Sequence, residues 1–269
     1  MFMNTNYETL LFEVENEIGV ITVNRPKALN ALSEQVHSEL NALLKEFKNL
    51  NKDYSIAKGL ILTGAEDKAF IAGADIKGMT TMTAEQAESF ARLGQENTLL
   101  FESLNVPVIA CVNGYALGGG CEMAMSCDFI YGTKTAVFGQ PEVKLGLIPG
   151  FGGTQRLSKL VGRNRAKEIT YSGRNVGVEE AKEIGLVVAI FETKDEMLES
   201  AKTYLSKMMR NSPHAILEAK RVMNEGNDLT ISEGLNVEAK AFGAIFNSDD
   251  MKEGTKAFVE KRKPVFTGK

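Results

Sequence analysis

The chain has 269 residues, 43% of them hydrophobic and 25% charged, so it can bury a sizeable core as one large domain or two ordinary ones. A formal charge of −4 gives no global electrostatic reason for nucleic acid or an anionic membrane to bind, so an anionic substrate has to be met locally. Cys111, Cys121 and Cys127 form no Cys-x-x-Cys pair and His37 and His214 are far apart, which argues against disulfides, a metal site and a histidine-based triad.

The opening stretch, MFMNTNYETLLFEVENEIG, carries four glutamates and no basic residue before Arg25. It lacks the positive start of a secretory signal and the arginine-rich character of an organelle presequence, so a cytoplasmic protein is expected. The strongest apolar runs, 108–112 and 185–191, are far too short to cross a bilayer. Runs at 10–14 and 20–23, joined by Glu15-Asn-Glu-Ile-Gly19, read as a hairpin. A helix is predicted over 33–50, where Val36, Leu40, Leu43, Leu44 and Phe47 recur at helical spacing; His37 reads as solvent-facing. Residues 59–63 form a compact strand, Thr83-Ala-Glu-Gln86 a capping box opening a further helix, and 108–112 an apolar strand entered through Pro107. Beyond residue 150 the pattern is mostly helical, at 165–171, 179–184, 195–210, 213–224 and 228–246. The expectation is an α/β core over 1–194 and a helical C-terminal region over 195–269, with no internal repeat at a fixed period.

Within the core, Ala116-Leu-Gly-Gly-Gly-Cys-Glu-Met-Ala-Met-Ser-Cys-Asp128 sets a glutamate among glycines and apolar residues, where an ionised carboxylate is costly. The glycines do not form a nucleotide loop: the third glycine of a dinucleotide pattern would fall at Met123, and from Gly150-Phe-Gly152 it would fall at Gln155. They can bring backbone N–H groups close to an oxyanion at a helix start, or merely permit tight packing; on the glycines alone, packing is the better reading. A second glutamate, Glu142, follows Pro141 and precedes another glycine-rich stretch, 150–153. Glu122 and Glu142 can form an acid–base pair, or each can be a first-turn residue favoured by a helix dipole.

Five segments taken together resemble the crotonase (enoyl-CoA hydratase) superfamily: Asn24-Arg-Pro-Lys-Ala-Leu-Asn-Ala-Leu32, Ala69-Phe-Ile-Ala-Gly-Ala-Asp-Ile-Lys77, Asn113-Gly-Tyr-Ala-Leu-Gly-Gly-Gly-Cys-Glu122, Phe138-Gly-Gln-Pro-Glu142 and Pro149-Gly-Phe-Gly-Gly-Thr-Gln-Arg156. The C-terminal Ala257-Phe-Val-Glu-Lys-Arg-Lys263 fits as well, so the resemblance covers nearly the whole chain. It implies an α/β spiral of repeated ββα units with a helical C-terminal trimerisation region, assembled as a homotrimer or a dimer of trimers. The presence of both glutamates implies reversible hydration of a trans-2-enoyl-CoA, with crotonyl-CoA and 3-hydroxybutyryl-CoA as the expected short-chain pair. No cofactor is expected, coenzyme A being part of the substrate.

By the same resemblance, Glu122 activates water, Glu142 gives the proton to C2, and the N–H groups of Ala74 and Gly119 receive the thioester oxygen, with Gly150 helping to hold the catalytic groups. Lys27, Ala28, Leu29, Ala72, Asp75, Ile76 and Lys77 fall on the CoA moiety, and Phe258 and Lys261 reach it from a neighbouring subunit. Met79, Met82 and Phe90 can line an acyl pocket, although ordinary core is the commoner use of such residues. Asp128, Cys121 and Cys127 read as structural. Two alternatives remain at this level: a double-bond isomerase of the same superfamily, which needs one carboxylate, and RNA binding, known for one branch. Against the latter, Lys45 and Lys48 are offset by Glu34, Glu39 and Glu46 on the first helix.

Overall fold

A computed structural model describes residues 6–269; the first five residues of the opening stretch lie outside the described residues. The expected hairpin is formed by β1 (Leu10–Glu15) and β2 (Ile18–Val23), antiparallel with Leu10 opposite Val23. Asn16 and Glu17 both take positive φ, the twist-matching turn for a two-residue hairpin loop. Helix α1 (Glu34–Leu50) starts at Ser33, whose side chain accepts from the Val36 N–H, and buries the predicted apolar stripe. It buries His37 too, which corrects the solvent-facing expectation: α1 is covered by a second helix, introduced below, so its buried face is wider than the apolar residues alone indicate.

Three turns of a spiral follow, each two strands and then helix. They are β3 (Gly59–Gly64), β4 (Ala69–Ile71), the short α2 (Ile76–Met79) and α3 (Ala84–Glu102); β5 (Val108–Val112), β6 (Tyr115–Leu117) and α4 (Gly119–Met125); then β7 (Phe129–Thr133), β8 (Val137–Gly139), a 3₁₀ turn (Pro141–Leu145) and α5 (Gly153–Val161). The first strand of each turn enters a six-stranded sheet and the second a four-stranded one, parallel to its neighbours in the spiral. The turns begin at residues 59, 108 and 129, an unequal spacing that leaves no fixed period in the sequence. The expected capping box at Thr83 forms, with Gln86 returning its side chain to the Thr83 N–H.

After α6 (Arg163–Ser172), β9 (Val176–Gly177) and α7 (Val178–Glu183), β10 (Ala189–Phe191) closes the large sheet beside β7. Both faces of that sheet are covered, which accounts for uninterrupted apolar strands. Leu60 and Leu62 of β3 face the main core, while Ile61 between them packs with Met197, Ala201 and Leu205 of α8 (Lys194–Met208).

The chain ends in α9 (Pro213–Gly226), α10 (Ile231–Ile245) and α11 (Asp249–Val259). Lys220 fastens α9 to the core by donating to the carbonyls of Phe101 and Val106 and to the Asp128 carboxylate. Asp250, buried, accepts from Ser212, Thr267 and Gly268 and so ties down the tail. These helices also leave large apolar side chains in the open, among them Ile231, Phe242 and Phe258, the mark of an interaction surface. Among the described residues, no helix is long and apolar enough to cross a membrane.

Candidate active site

Parallel strands β4, β6 and β8 lie side by side in the small sheet, and the chain leaving each of them borders one cavity of about 560 Å³. Beyond β4 come Ala72–Ala74 by number 72–74, beyond β6 Gly118, Gly119 and Glu122, and beyond β8 Pro141 and Glu142. Ligand sites outside the carboxyl ends of parallel strands are the rule for such sheets, because helix starts and loops gather there.

The two expected oxyanion donors, Ala74 and Gly119, both border the cavity. Leu32 N–H donates to the Gly73 carbonyl and the Asp75 N–H to the Leu32 carbonyl, so the Ala74 between them turns its own N–H away from Leu32. Ala74 borders the cavity. Gly119 is the first residue of α4, where an N–H has no acceptor within the helix, and it borders the same cavity.

The run of glycines is required by its neighbours rather than by flexibility. Gly118 has φ +50, and a Cβ there would lie 2.8 Å from Glu142 Oε1. At Gly120 a Cβ would lie 1.9 Å from the Ile71 carbonyl oxygen, so only glycine lets α4 start this close to β4. Close packing and close approach to a carboxyl group are thus both present, two residues apart, at Gly120 and Gly118.

Glu122 is only 1% exposed. Its Oε1 accepts from the Phe151 N–H at 2.8 Å and the Gly153 N–H at 2.6 Å, which supplies the partners a buried carboxylate needs. Burial pushes its pKa up to about 7; the Gly153 N–H opposes the rise, Glu142 adds to it, and the Phe151 N–H and Arg156 pull it back. Glu142 is also raised by burial, and its Oε2 has no hydrogen-bond partner among the described residues. Two carboxyl groups that burial makes harder to ionise, on one cavity, can divide proton transfer between them.

Three contributors were not legible as site residues. Phe151 and Gly153 hold Glu122, whereas Gly150 borders the cavity and its carbonyl accepts from Gln95. Arg156, paired with Glu102 at 2.6 Å, donates to the Phe151 carbonyl and so pins the loop whose N–H groups hold Glu122. The glycine-rich start of α5 was the available signal, since unpaired N–H groups cluster at a helix start.

Two of the segments expected on coenzyme A, 27–29 and 72–77, lie side by side. Lys27 and Ala28 are exposed in a 3₁₀ turn (Pro26–Ala28), and Leu29, at φ 51, accepts at its carbonyl from the Ala72 N–H. Ala72 and Ile76 border the cavity, Asp75 pairs with Arg25 at 3.1 Å, and Lys77 is exposed on α2. Phe258 and Lys261 are exposed and away from their own chain's cavity wall. Met79 and Phe90 border the cavity, so packing and lining are combined in these side chains, while Met82 packs against the core. Asp128 accepts from the Val108 N–H as well as pairing with Lys220, and Cys121 and Cys127 are buried free thiols.

A spiral of ββα turns that brings a buried and a half-buried carboxyl group to one cavity, bordered also by Ala74 and Gly119, has the parts of an acid–base enzyme. The chain belongs to the enoyl-CoA hydratase/isomerase family, whose sequence profile matches residues 13–269. It is 44% identical over 254 residues to a short-chain-enoyl-CoA hydratase of Clostridium acetobutylicum, covering 94% of this chain and 95% of that protein. It is 43% identical to a crotonyl-CoA hydratase of Syntrophomonas wolfei, over 98% of this chain and 99% of the other. The crystal structure of an enoyl-CoA hydratase from Bacillus anthracis superposes with a TM-score of 0.91 at 36% identity, covering 97% of this chain and all of that one (100%).

Proposed function

We propose that the protein adds water reversibly to short trans-2-enoyl-CoA thioesters, with crotonyl-CoA and 3-hydroxybutyryl-CoA as the working pair. The observation that carries this reading is the convergence of Glu122 and Glu142 on one cavity that Ala74 and Gly119 also border. The names of the two similar relatives support the short chain.

In the hydration direction, the free oxygen of the Glu122 carboxylate takes a proton from water as the water oxygen bonds to C3. The π electrons move toward the thioester, and negative charge grows on its oxygen between the Ala74 and Gly119 N–H groups. Such donors act more strongly on the transition state than on the substrate, and each is typically worth roughly 3–4 kcal/mol of barrier. Glu142 then gives its proton to C2, which completes the 3-hydroxyacyl thioester. No cofactor enters this sequence.

The wider assignment has the CoA handle running along Lys27, Ala28 and Leu29, with Asp75 and Lys77 beside it. Phe258 and Lys261 would complete that site from a neighbouring subunit of a homotrimer or dimer of trimers; the exposed apolar side chains of α10 and α11 support such an assembly. A cytoplasmic setting suits three buried free thiols.

The test is loss of the conjugated enoyl-thioester absorbance when purified protein meets crotonyl-CoA, alongside Glu122→Gln and Glu142→Gln. Each substitution is expected to lower kcat by roughly 10²–10⁴. A folded wild-type protein that leaves crotonyl-CoA and longer enoyl-CoA unchanged would sink the reading, and double-bond migration surviving Glu122→Gln would point to an isomerase.

A further inference from the structure

His37 is fully buried yet does not reach the cavity. It stands edge-on to Phe151 at 4.9 Å and to Phe90 at 5.1 Å between ring centres, and those two rings are themselves 5.5 Å apart. Phe90 and Phe151 do border the cavity, so the imidazole lies directly behind its aromatic wall.

The imidazole is also clamped. Asn97 donates to the His37 carbonyl at 2.9 Å and has the same amide nitrogen 3.2 Å from Nδ1, while its oxygen accepts from Asn41 at 2.9 Å. With Nδ1 as acceptor, the ring's N–H is on Nε2, and that atom has no hydrogen-bond partner among the described residues. Burial pulls the His37 pKa down to about 4, so the ring is neutral under ordinary conditions. A buried, unsatisfied donor is a cost that an apolar side chain of similar size would avoid. What the histidine brings instead is a flat ring fixed in one orientation by its amide partner.

Where that ring stands decides what the wall does. Phe151 is tethered to Glu122 through its own N–H, and Glu122 serves the carbon that water attacks. On that reading the aromatic rings, which border the same cavity as Glu122, bound the space into which the acyl chain continues beyond C3. We propose that His37, clamped by Asn97, is a specificity-determining residue: it holds Phe90 and Phe151 forward and thereby limits the acyl chain the cavity accepts. The proposal rests on the reading of the cavity as an enoyl-thioester site.

The test compares His37→Ala and the bulkier His37→Leu with wild type. Two measurements are made: kcat/KM for crotonyl-CoA against trans-2-hexenoyl-CoA, and calorimetric Kd for the unreactive butyryl-CoA against hexanoyl-CoA. In His37→Ala the Phe90 ring can fall back into the vacated space, and each methylene newly admitted is worth about fourfold. Admission of two more raises the six-carbon over four-carbon ratio by about tenfold or more in both measurements, with a smaller shift in the same direction for His37→Leu. If the ratio stays within about twofold of wild type while both chain lengths weaken together, His37 is merely structural and the proposal is overturned. Should His37→Ala fail to fold, His37→Leu decides on the same ratio. The binding ratio separates this inference from the catalytic one, because it shifts with the wall whether or not crotonyl-CoA is hydrated.

Discussion

Glu122→Gln should make the folded protein more stable above neutral pH while it removes hydration, and both effects follow from burying an ionisable base. The ordinary carboxyl value of 4.5 is raised to about 7 at this position, chiefly by burial. In the ionised form the residue then leaves the fold about 3 kcal/mol less stable than it is with the same residue protonated. The folded state holds the proton more tightly than the unfolded state does. The stabilisation from that proton is therefore fully present below about pH 4.5 and is lost as pH rises through about 7. Glutamine imitates the protonated acid at every pH, and its amide oxygen can still accept from Phe151 and Gly153 at the same distances. The variant should gain about 3 kcal/mol at pH 8.5, equivalent to about 5 °C in Tm for a chain of this size, and little at pH 5. Thermal denaturation followed by circular dichroism at both pH values, at one fixed protein concentration, measures it. An equal Tm difference at the two pH values, or a variant less stable at pH 8.5, would refute the burial argument.

The pH dependence of kcat/KM should show an acid limb near pH 7, where Glu122 takes up the proton that disables it as base; a limb that stays near pH 4.5 would refute the effect of burial. Arg156→Met removes a charge that holds Glu122 down, so it should move the acid limb upward as well as lower kcat; an unmoved limb would leave Arg156 with packing alone. Gly118→Ala sets a methyl group against Glu142 in a backbone conformation costly for any residue but glycine, so kcat should fall by about 10² with the circular dichroism spectrum unchanged. Lys220→Met leaves Asp128 without its ion pair and removes three donated hydrogen bonds between α9 and the core, which should cost about 3 kcal/mol in urea unfolding. If that loss persists in an Asp128→Asn background, the ion pair is not its source.

Period and punctuation made much of the architecture readable. The apolar spacing of α1, the capping box at Thr83 and the uninterrupted apolar run of β5 each state a local structure that the packing then keeps. The helix over residues 249–259 escaped because its two exposed aromatic and β-branched residues, Phe258 and Val259, blur the amphipathic stripe. His37 was misplaced by its polarity rather than by its position. It stands three residues before Leu40 and seven before Leu44, on the stripe those leucines define, and Asn97 on a distant helix is what makes a polar ring tolerable there. Likewise both glutamates stand out in the sequence, whereas the donors that hold Glu122 are backbone N–H groups, which no residue type announces.

The order of strands in the small sheet gives the site its direction. Neighbouring strands lie about 4.8 Å apart, and the sequence across the sheet is β4, β6, β8. On the hydration reading, a thioester lying across their ends meets residues from all three: Ala74 beyond β4, Gly119 and Glu122 beyond β6, and Glu142 beyond β8. The register supports that lateral alignment. Ala69 of β4 faces Tyr115 of β6 while Ile71 faces Ala116, so β4 spends two residues on one step of its neighbour. This bulge places Phe70 as the extra residue, anchored by a fully buried ring, and re-aims the chain just before the donor at Ala74. Ala74 and Gly119, the proposed oxyanion donors, thus follow closely on strands of the core, while Glu142 comes from a 3₁₀ turn beyond the outer strand of the three. On the proposed reading, replacing the residue at 142 changes which atom can exchange a proton and leaves the backbone donors to the thioester oxygen in place. That separation explains how one fold can carry both hydration and isomerisation in a single family.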